Sequence, residues 1–201
     1  MRISKFQVQG IIIIGCFLFF SQSNFLFGQE ESVEPYYILN QFIASGYIGE
    51  PDNIELLESW KDIPCDSTDS DSFCIKITYS PGYTGWAGIY WQNKANNWGD
   101  FSGEDFSKSG FSQIIFWARG EKGGEVVEFK AGDINDSTKR YRDSFVATAG
   151  KVRLTKNWKK YKISLSNKNL SSVIGGFCWV ASGNANPKGL TFFLDNVQYV
   201  K

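Results

Sequence analysis

Ser112-Gln113-Ile114-Ile115-Phe116-Trp117-Ala118-Arg119 is followed, across a Gly123-Gly124 turn, by Glu125-Val126-Val127-Glu128-Phe129-Lys130-Ala131. In an extended chain, successive side chains point to opposite faces. Ile114, Phe116 and Ala118 then share one side, and Ile115, Trp117 and Arg119 the other. The next segment splits into Val127, Phe129 and Ala131 against Val126, Glu128 and Lys130. Phe177, Trp179 and Ala181 likewise oppose Cys178, Val180 and Ser182. Further short apolar runs recur at 41–48, 54–57, 73–79, 86–92, 152–155, 158–165, 174–181 and 190–199. Between them lie Pro81-Gly82, Gly99-Asp100, Gly132-Asp133, Gly183-Asn184 and Pro187-Lys188-Gly189. No window sustains a 3.6-residue period over three turns, and 168–172 has room for one helical turn at most. Such spacing and punctuation predict an all-β sandwich or barrel. Its mixed face carries Trp117, Arg119, Glu128 and Lys130, with Trp179 a further candidate. That face is either solvated sheet surface or a shallow ligand platform.

The run from Gly85 to Gly99 carries the chemistry. Trp86, Tyr90, Trp91 and Trp98 are interleaved with Gln92, Asn93, Asn96 and Asn97. Indole and phenol faces stack on the C–H face of a pyranose, and carboxamides both donate to and accept from its hydroxyls. The competing reading is that a sandwich packs its core with these rings and places Asn in its turns.

The first 28 residues read as an export signal: Arg2 and Lys5 precede the apolar run Ile11–Phe20, and small residues follow. The run is about half the roughly 20 residues a membrane-spanning helix needs. Ile13-Ile14-Gly15-Cys16 resembles a bacterial lipobox, in which Cys16 would bear a lipid anchor; the apolar continuation Phe17–Phe20 argues against it. Residues 29–40 read as a linker and 41–201 as one domain, exported to the periplasm, the cell surface or the medium. Beyond residue 28 the chain holds 19 Lys and Arg against 21 Asp and Glu, a net charge of −2. Nothing in that balance draws it to nucleic acid or an anionic membrane. Cys65 and Cys74 flank the acidic loop Asp66–Phe73, and an exported protein would oxidise such a pair. The closed loop would add about 2–3 kcal/mol in the chain-entropy model. Cys178, within an apolar run, reads as a small buried hydrophobe. The chain has no histidine, which removes Ser-His-Asp and Cys-His nucleophiles and His-ligated zinc. No Walker or Rossmann glycine loop is present.

Gly46-Tyr47-Ile48-Gly49-Glu50, the Gly85–Gly99 run, Phe116-Trp117-Ala118-Arg119-Gly120, Gly123-Gly124-Glu125, Gly175-Gly176-Phe177 and Phe193-Leu194-Asp195-Asn196-Val197-Gln198-Tyr199 follow one another in order. Together they resemble the β-jelly-roll carbohydrate-binding modules with a galactose-binding-domain-like fold found in bacterial secreted proteins. The resemblance runs from Tyr47 to Tyr199. It implies a two-sheet antiparallel β-sandwich that binds a poly- or oligosaccharide without catalysis, working with a separate glycoside hydrolase or a surface complex. It also implies a structural calcium ion held by Asp195, with Glu50 as its partner; calcium takes six to eight oxygen ligands, which carboxylates and turn carbonyls supply. An acidic alternative, Asp66, Asp69 and Asp71, reads rather as a solvated loop. For sugar stacking the candidates are Trp91, Trp98 and Trp179. For hydroxyl contacts they are Gln92, Arg119, Glu128, Lys130 and Asp143, since charged partners form the stronger hydrogen bonds.

Two other functions compete. The same sandwich would serve as an adhesion or protein-interaction module without sugar specificity, because exposed aromatics suit either partner. A glycosidase needs two carboxylates about 5–5.5 Å apart if retaining and roughly 6.5–9.5 Å if inverting. Glu125 and Glu128 face opposite sides of a strand, which leaves Asp133 and Asp143 as the pair to test.

Overall fold

The computed structural model describes residues 34–59 and 74–201. The export signal, Cys16, Cys65 and the acidic loop lie outside these. Among the described residues, eleven strands, β1 (Tyr36–Tyr37), β2 (Ile43–Gly49), β3 (Ile54–Ser59), β4 (Cys74–Tyr79), β5 (Trp86–Gln92), β6 (Gln113–Gly120), β7 (Val126–Gly132), β8 (Val146–Arg153), β9 (Lys159–Ser164), β10 (Gly175–Ser182) and β11 (Leu190–Val200), make two antiparallel sheets. One runs β3-β4-β11-β6-β9, with β1 also on β11; the other runs β2-β5-β10-β7-β8. This is the two-sheet sandwich of a jelly roll, with one four-residue helix, α1 (Ile38–Gln41). Among the described residues no helix is long and apolar enough to cross a membrane.

Strand alternation places the core as the sequence predicts for most elements. Ile114, Phe116 and Ala118 from β6, and Val127, Phe129 and Ala131 from β7, are fully buried between the sheets. Phe116 and Phe129 meet across the interface with ring centroids 4.7 Å apart. Each such side chain contributes about 1.5–3 kcal/mol on burial. The domain starts earlier than the expected boundary at residue 41: Tyr36 pairs with Tyr199 and Tyr37 with Gln198, and Ile38 is fully buried. Part of the expected linker therefore belongs to the sandwich. Residues 168–172, which have room for one helical turn at most, are not helical. β8 begins six residues before its expected start at 152. Ala147, Thr148, Ala149 and Gly150 lack the bulk that marks a strand, and the register shifts opposite Phe129/Lys130, where Gly150 adopts φ +71°.

Candidate functional site

The outer face of the five-stranded sheet is built from two cross-strand rows. The first runs Gly46, Tyr90, Cys178, Lys130 and Thr148 across β2, β5, β10, β7 and β8; the second runs Ile48, Gly88, Val180, Glu128 and Lys151. Gly88 keeps the second row low, because a Cβ there would strike the carbonyl oxygen of Trp179. An apolar cluster, separate from the core, lies on this face: Tyr90, Ile134, Ile174 and Cys178, bordered by Ile48, Trp98, Tyr141 and Val180. Half-buried Trp98 meets Tyr90 edge to face, centroids 6.0 Å apart and planes at 80°. The Lys130 ammonium lies 5.4 Å from the Tyr90 ring centre and 3.0 Å from the Asp133 carboxylate. Half-buried Glu128 sits one row away. A half-buried indole, braced by the buried Tyr90 ring, is thus presented with carboxylates and an ammonium beside it.

Buried amides hold the loop that carries Trp98. Gln92, fully buried at the end of β5, donates to the Asn97 carbonyl at 2.9 Å and accepts from the Ser45 hydroxyl at 2.8 Å. Asn97, also fully buried, accepts from the N–H groups of Gly99 and Phe101 and donates to the Asn93 side chain and the Phe101 carbonyl. The Tyr141 N–H donates to the Gly99 carbonyl at 3.0 Å, and Lys139 pairs with Asp100 at 2.7 Å. These bonds tie the segment bearing Tyr141 to the segment bearing Trp98.

Asp143 anchors a third side of the face. Its carboxylate accepts from the N–H groups of Ile134, Ile174 and Gly175. Burial raises its pKa to about 6 against the opposing pull of those three donors. It joins loops rather than offering itself to a ligand.

Several sequence expectations change. Trp91 and Trp179 are 1% and 0% exposed and belong to the core, with Trp91 against Phe177 at 5.9 Å and Trp179 against Phe192 at 5.4 Å. Neither can stack on a ligand. Gln92 and Asp143 support the face from below. Arg119 lies on the outer side of the other sheet, its guanidinium 3.8 Å from the Phe193 ring centre and 5.4 Å from that of Trp158. Of the eight proposed contacts, Trp98, Glu128 and Lys130 come together. Tyr90, Tyr141 and Asp133 are not among the eight sugar contacts expected from the sequence, although Tyr90 belongs to the aromatic run and Asp133 to the carboxylate pair. Tyr90 carries a signal, since it alternates with Ile89 and Trp91 in the aromatic run and so must face the opposite way.

Glu50 and Asp195 lie level with different positions along β11 rather than side by side. The Glu50 carboxylate accepts from the Tyr79 hydroxyl and from the N–H groups of Gly82, Thr84 and Gly85. Tyr79 pairs with Leu190, whereas Leu194 pairs with Ile75. Asp195 is therefore five residues farther along β11, roughly 17 Å at the rise of an antiparallel strand. Asp195, 5% exposed, accepts from the Asn196 N–H at 2.7 Å. Among the described residues no three acidic or cysteine side chains gather as a metal site. Cys74 is fully buried at the start of β4, and its expected partner Cys65 lies outside the described residues.

No family model matches the chain, and no curated protein matches it in sequence. Its fold is similar to that of the family 11 carbohydrate-binding module of a cellulosomal cellulase from Clostridium thermocellum, at 12% identity over 83% of this chain and 93% of that one, with a TM-score of 0.52. A family 30 carbohydrate-binding module aligns at 15% identity over 84% and 99%, TM-score 0.49. The Clostridium thermocellum family 11 module in complex with a β-1,3-1,4-mixed-linked tetrasaccharide aligns at 13% identity over 79% and 97%, TM-score 0.49. At these identities the likeness is one of fold.

Proposed function

We propose that this chain is a non-catalytic carbohydrate-binding module that holds a poly- or oligosaccharide on the outer face of its five-stranded sheet. The observation that carries this reading is the half-buried Trp98 ring braced edge-on by Tyr90, with Tyr141, Glu128, Lys130 and Asp133 around it. A ring fixed in place by packing loses little freedom when a sugar stacks on it, so its contact energy goes to binding. Glu128 and Asp133 accept from sugar hydroxyls, and Lys130 donates to them. The sandwich shared with carbohydrate-binding modules supports the reading at the level of fold.

Catalysis does not suit this face. Asp143 is taken up by three backbone donors, which leaves the Asp133/Asp143 pair without its second free carboxyl group. Export by residues 1–28, a Cys65–Cys74 disulfide, and action alongside a separate glycoside hydrolase belong to the same proposal. A glycan array probed with the chain lacking residues 1–28, with and without EDTA, tests ligand class and metal dependence together. Retention of at least one glycan family is expected. A folded protein that binds no glycan in either condition contradicts the proposal.

A further inference from the structure

Trp86 opens β5. It shares the outward side of that strand with Gly88 and Tyr90, because Ala87, Ile89 and Trp91, which alternate with them, are buried in the core. At 40% it is the most exposed tryptophan among the described residues. Four residues separate it from Tyr90, roughly 14 Å at the rise of an antiparallel strand. The sheet face therefore carries aromatic surface at two places, the Trp98–Tyr90 pair at one end of β5 and Trp86 at the other. Exposed apolar surface in line with an apolar cluster marks an interaction surface.

What lies between the two places suits a chain of sugar rings. Gly88, midway along β5, adds no side chain, so nothing on that strand stands between the rings. Ile48 and Val180, half-buried on the neighbouring strands, belong to the same apolar cluster as Tyr90 and Trp98. The floor is thus apolar and low along its length. On β7, Lys130 stands level with Tyr90, and Glu128 level with Gly88. Half-buried Glu128 forms no ion pair with a described residue, which leaves its carboxylate to accept from hydroxyls. A pyranose chain has the complementary arrangement, with C–H faces for the floor and hydroxyl edges for the β7 row. No single ring reaches both aromatic surfaces. Several linked rings do, provided the chain runs straight along the sheet. Equatorial linkages give such an extended chain, whereas axial ones coil it away from a flat floor.

We propose that Trp86 is a second stacking position of this site, and that the site takes an extended, equatorially linked chain several rings long rather than a single terminal ring. This rests on the sheet-face reading above and adds the length and shape of the ligand. Isothermal titration with cello-, xylo- and manno-oligosaccharides of two and six rings, and with maltohexaose, tests it. In at least one of the three extended series the hexasaccharide should bind about tenfold or more tighter than its disaccharide and than maltohexaose, the worth of one added aromatic contact. Trp86→Ala should remove about tenfold of that hexasaccharide affinity, and Trp86→Tyr, which keeps a ring, should retain most of it. The length comparison needs no variant, so it decides even if Trp86→Ala does not fold. The inference is overturned if disaccharide or maltohexaose matches the hexasaccharide, or if Trp86→Ala binds the hexasaccharide as wild type does. With Trp98→Ala still weakened, either result leaves the sheet-face reading standing. Unchanged hexasaccharide affinity in Trp98→Ala removes that reading and this inference together. Failure of all three series to bind overturns the inference as well, and the glycan array then decides the sheet-face reading separately.

Discussion

The carboxamide of Gln92, fully enclosed at the end of β5, donates to the carbonyl of Asn97 at 2.9 Å, one residue before Trp98. The bond links a core strand to the loop that presents the indole. Gln92→Ala would strand the Asn97 carbonyl and release Ser45. A loss of about 1–3 kcal/mol in unfolding free energy is expected. Glycan affinity should fall as well, although Gln92 never touches sugar. Urea denaturation alongside affinity electrophoresis measures the two effects separately.

The tryptophans should divide into two groups. Trp91→Ala and Trp179→Ala empty core sites and are expected to lose about 3–5 kcal/mol of stability. Trp98→Ala, at a half-buried loop position, should unfold near the wild-type midpoint yet lose about 2 kcal/mol or more of binding, roughly thirtyfold. Denaturation curves of the three variants side by side check this.

Glu50 and Asp143 should respond to acid with opposite sign. Burial acts to raise the Glu50 pKa, but the donors from Gly82, Gly85, Tyr79 and Thr84 outweigh it and hold the pKa at about 2. Its contribution is therefore present above the unfolded value near 4.5 and lost as pH falls toward 2. The Tm gap between wild type and Glu50→Gln should be constant from neutral pH to about 5 and close below it. With four donors already on this carboxylate, the gap is expected to be the same with calcium and with EDTA.

For Asp143 the folded pKa is raised to about 6 from 3.8. Its contribution is largest below the unfolded value and declines as pH rises through about 6. Asp143→Asn keeps one oxygen for the Ile174 and Gly175 donors but sets an amide N–H₂ against the Ile134 N–H, and should cost stability at every pH. The gap to wild type should be wider at pH 4 than at pH 7, and thermal melts across that range check it.

Alternation exposed most of the fold because one face of β6, β7 and β10 is continuously apolar. It gives no answer at Trp91 on β5, whereas Trp179 shares the apolar face of Phe177 and Ala181 on β10 and belongs to the core on that pattern. Both faces of β5 are covered beside Trp91, since Tyr90 is 4% exposed and Gln92 0%, so aromatic content on either side did not reveal which side meets the core. Arg119 and Glu128 looked like neighbours because β6 and β7 are consecutive, yet the chain crosses between sheets there, β6 pairing with β11 and β7 with β10. Tyr141 enters the site through the long 133–145 connection, whose path is set by Asp143, Lys139 and the Gly99 carbonyl. Such tertiary hydrogen bonds leave no periodic trace in a sequence.

The central claim rests on Trp98 binding sugar from the sheet face. Isothermal titration of the strongest glycan from an array, against wild type and Trp98→Ala with equal unfolding midpoints, tests it most directly. The account predicts an affinity loss of roughly thirtyfold or more in the variant. Equal affinity in the two proteins would place the sugar elsewhere and contradict it.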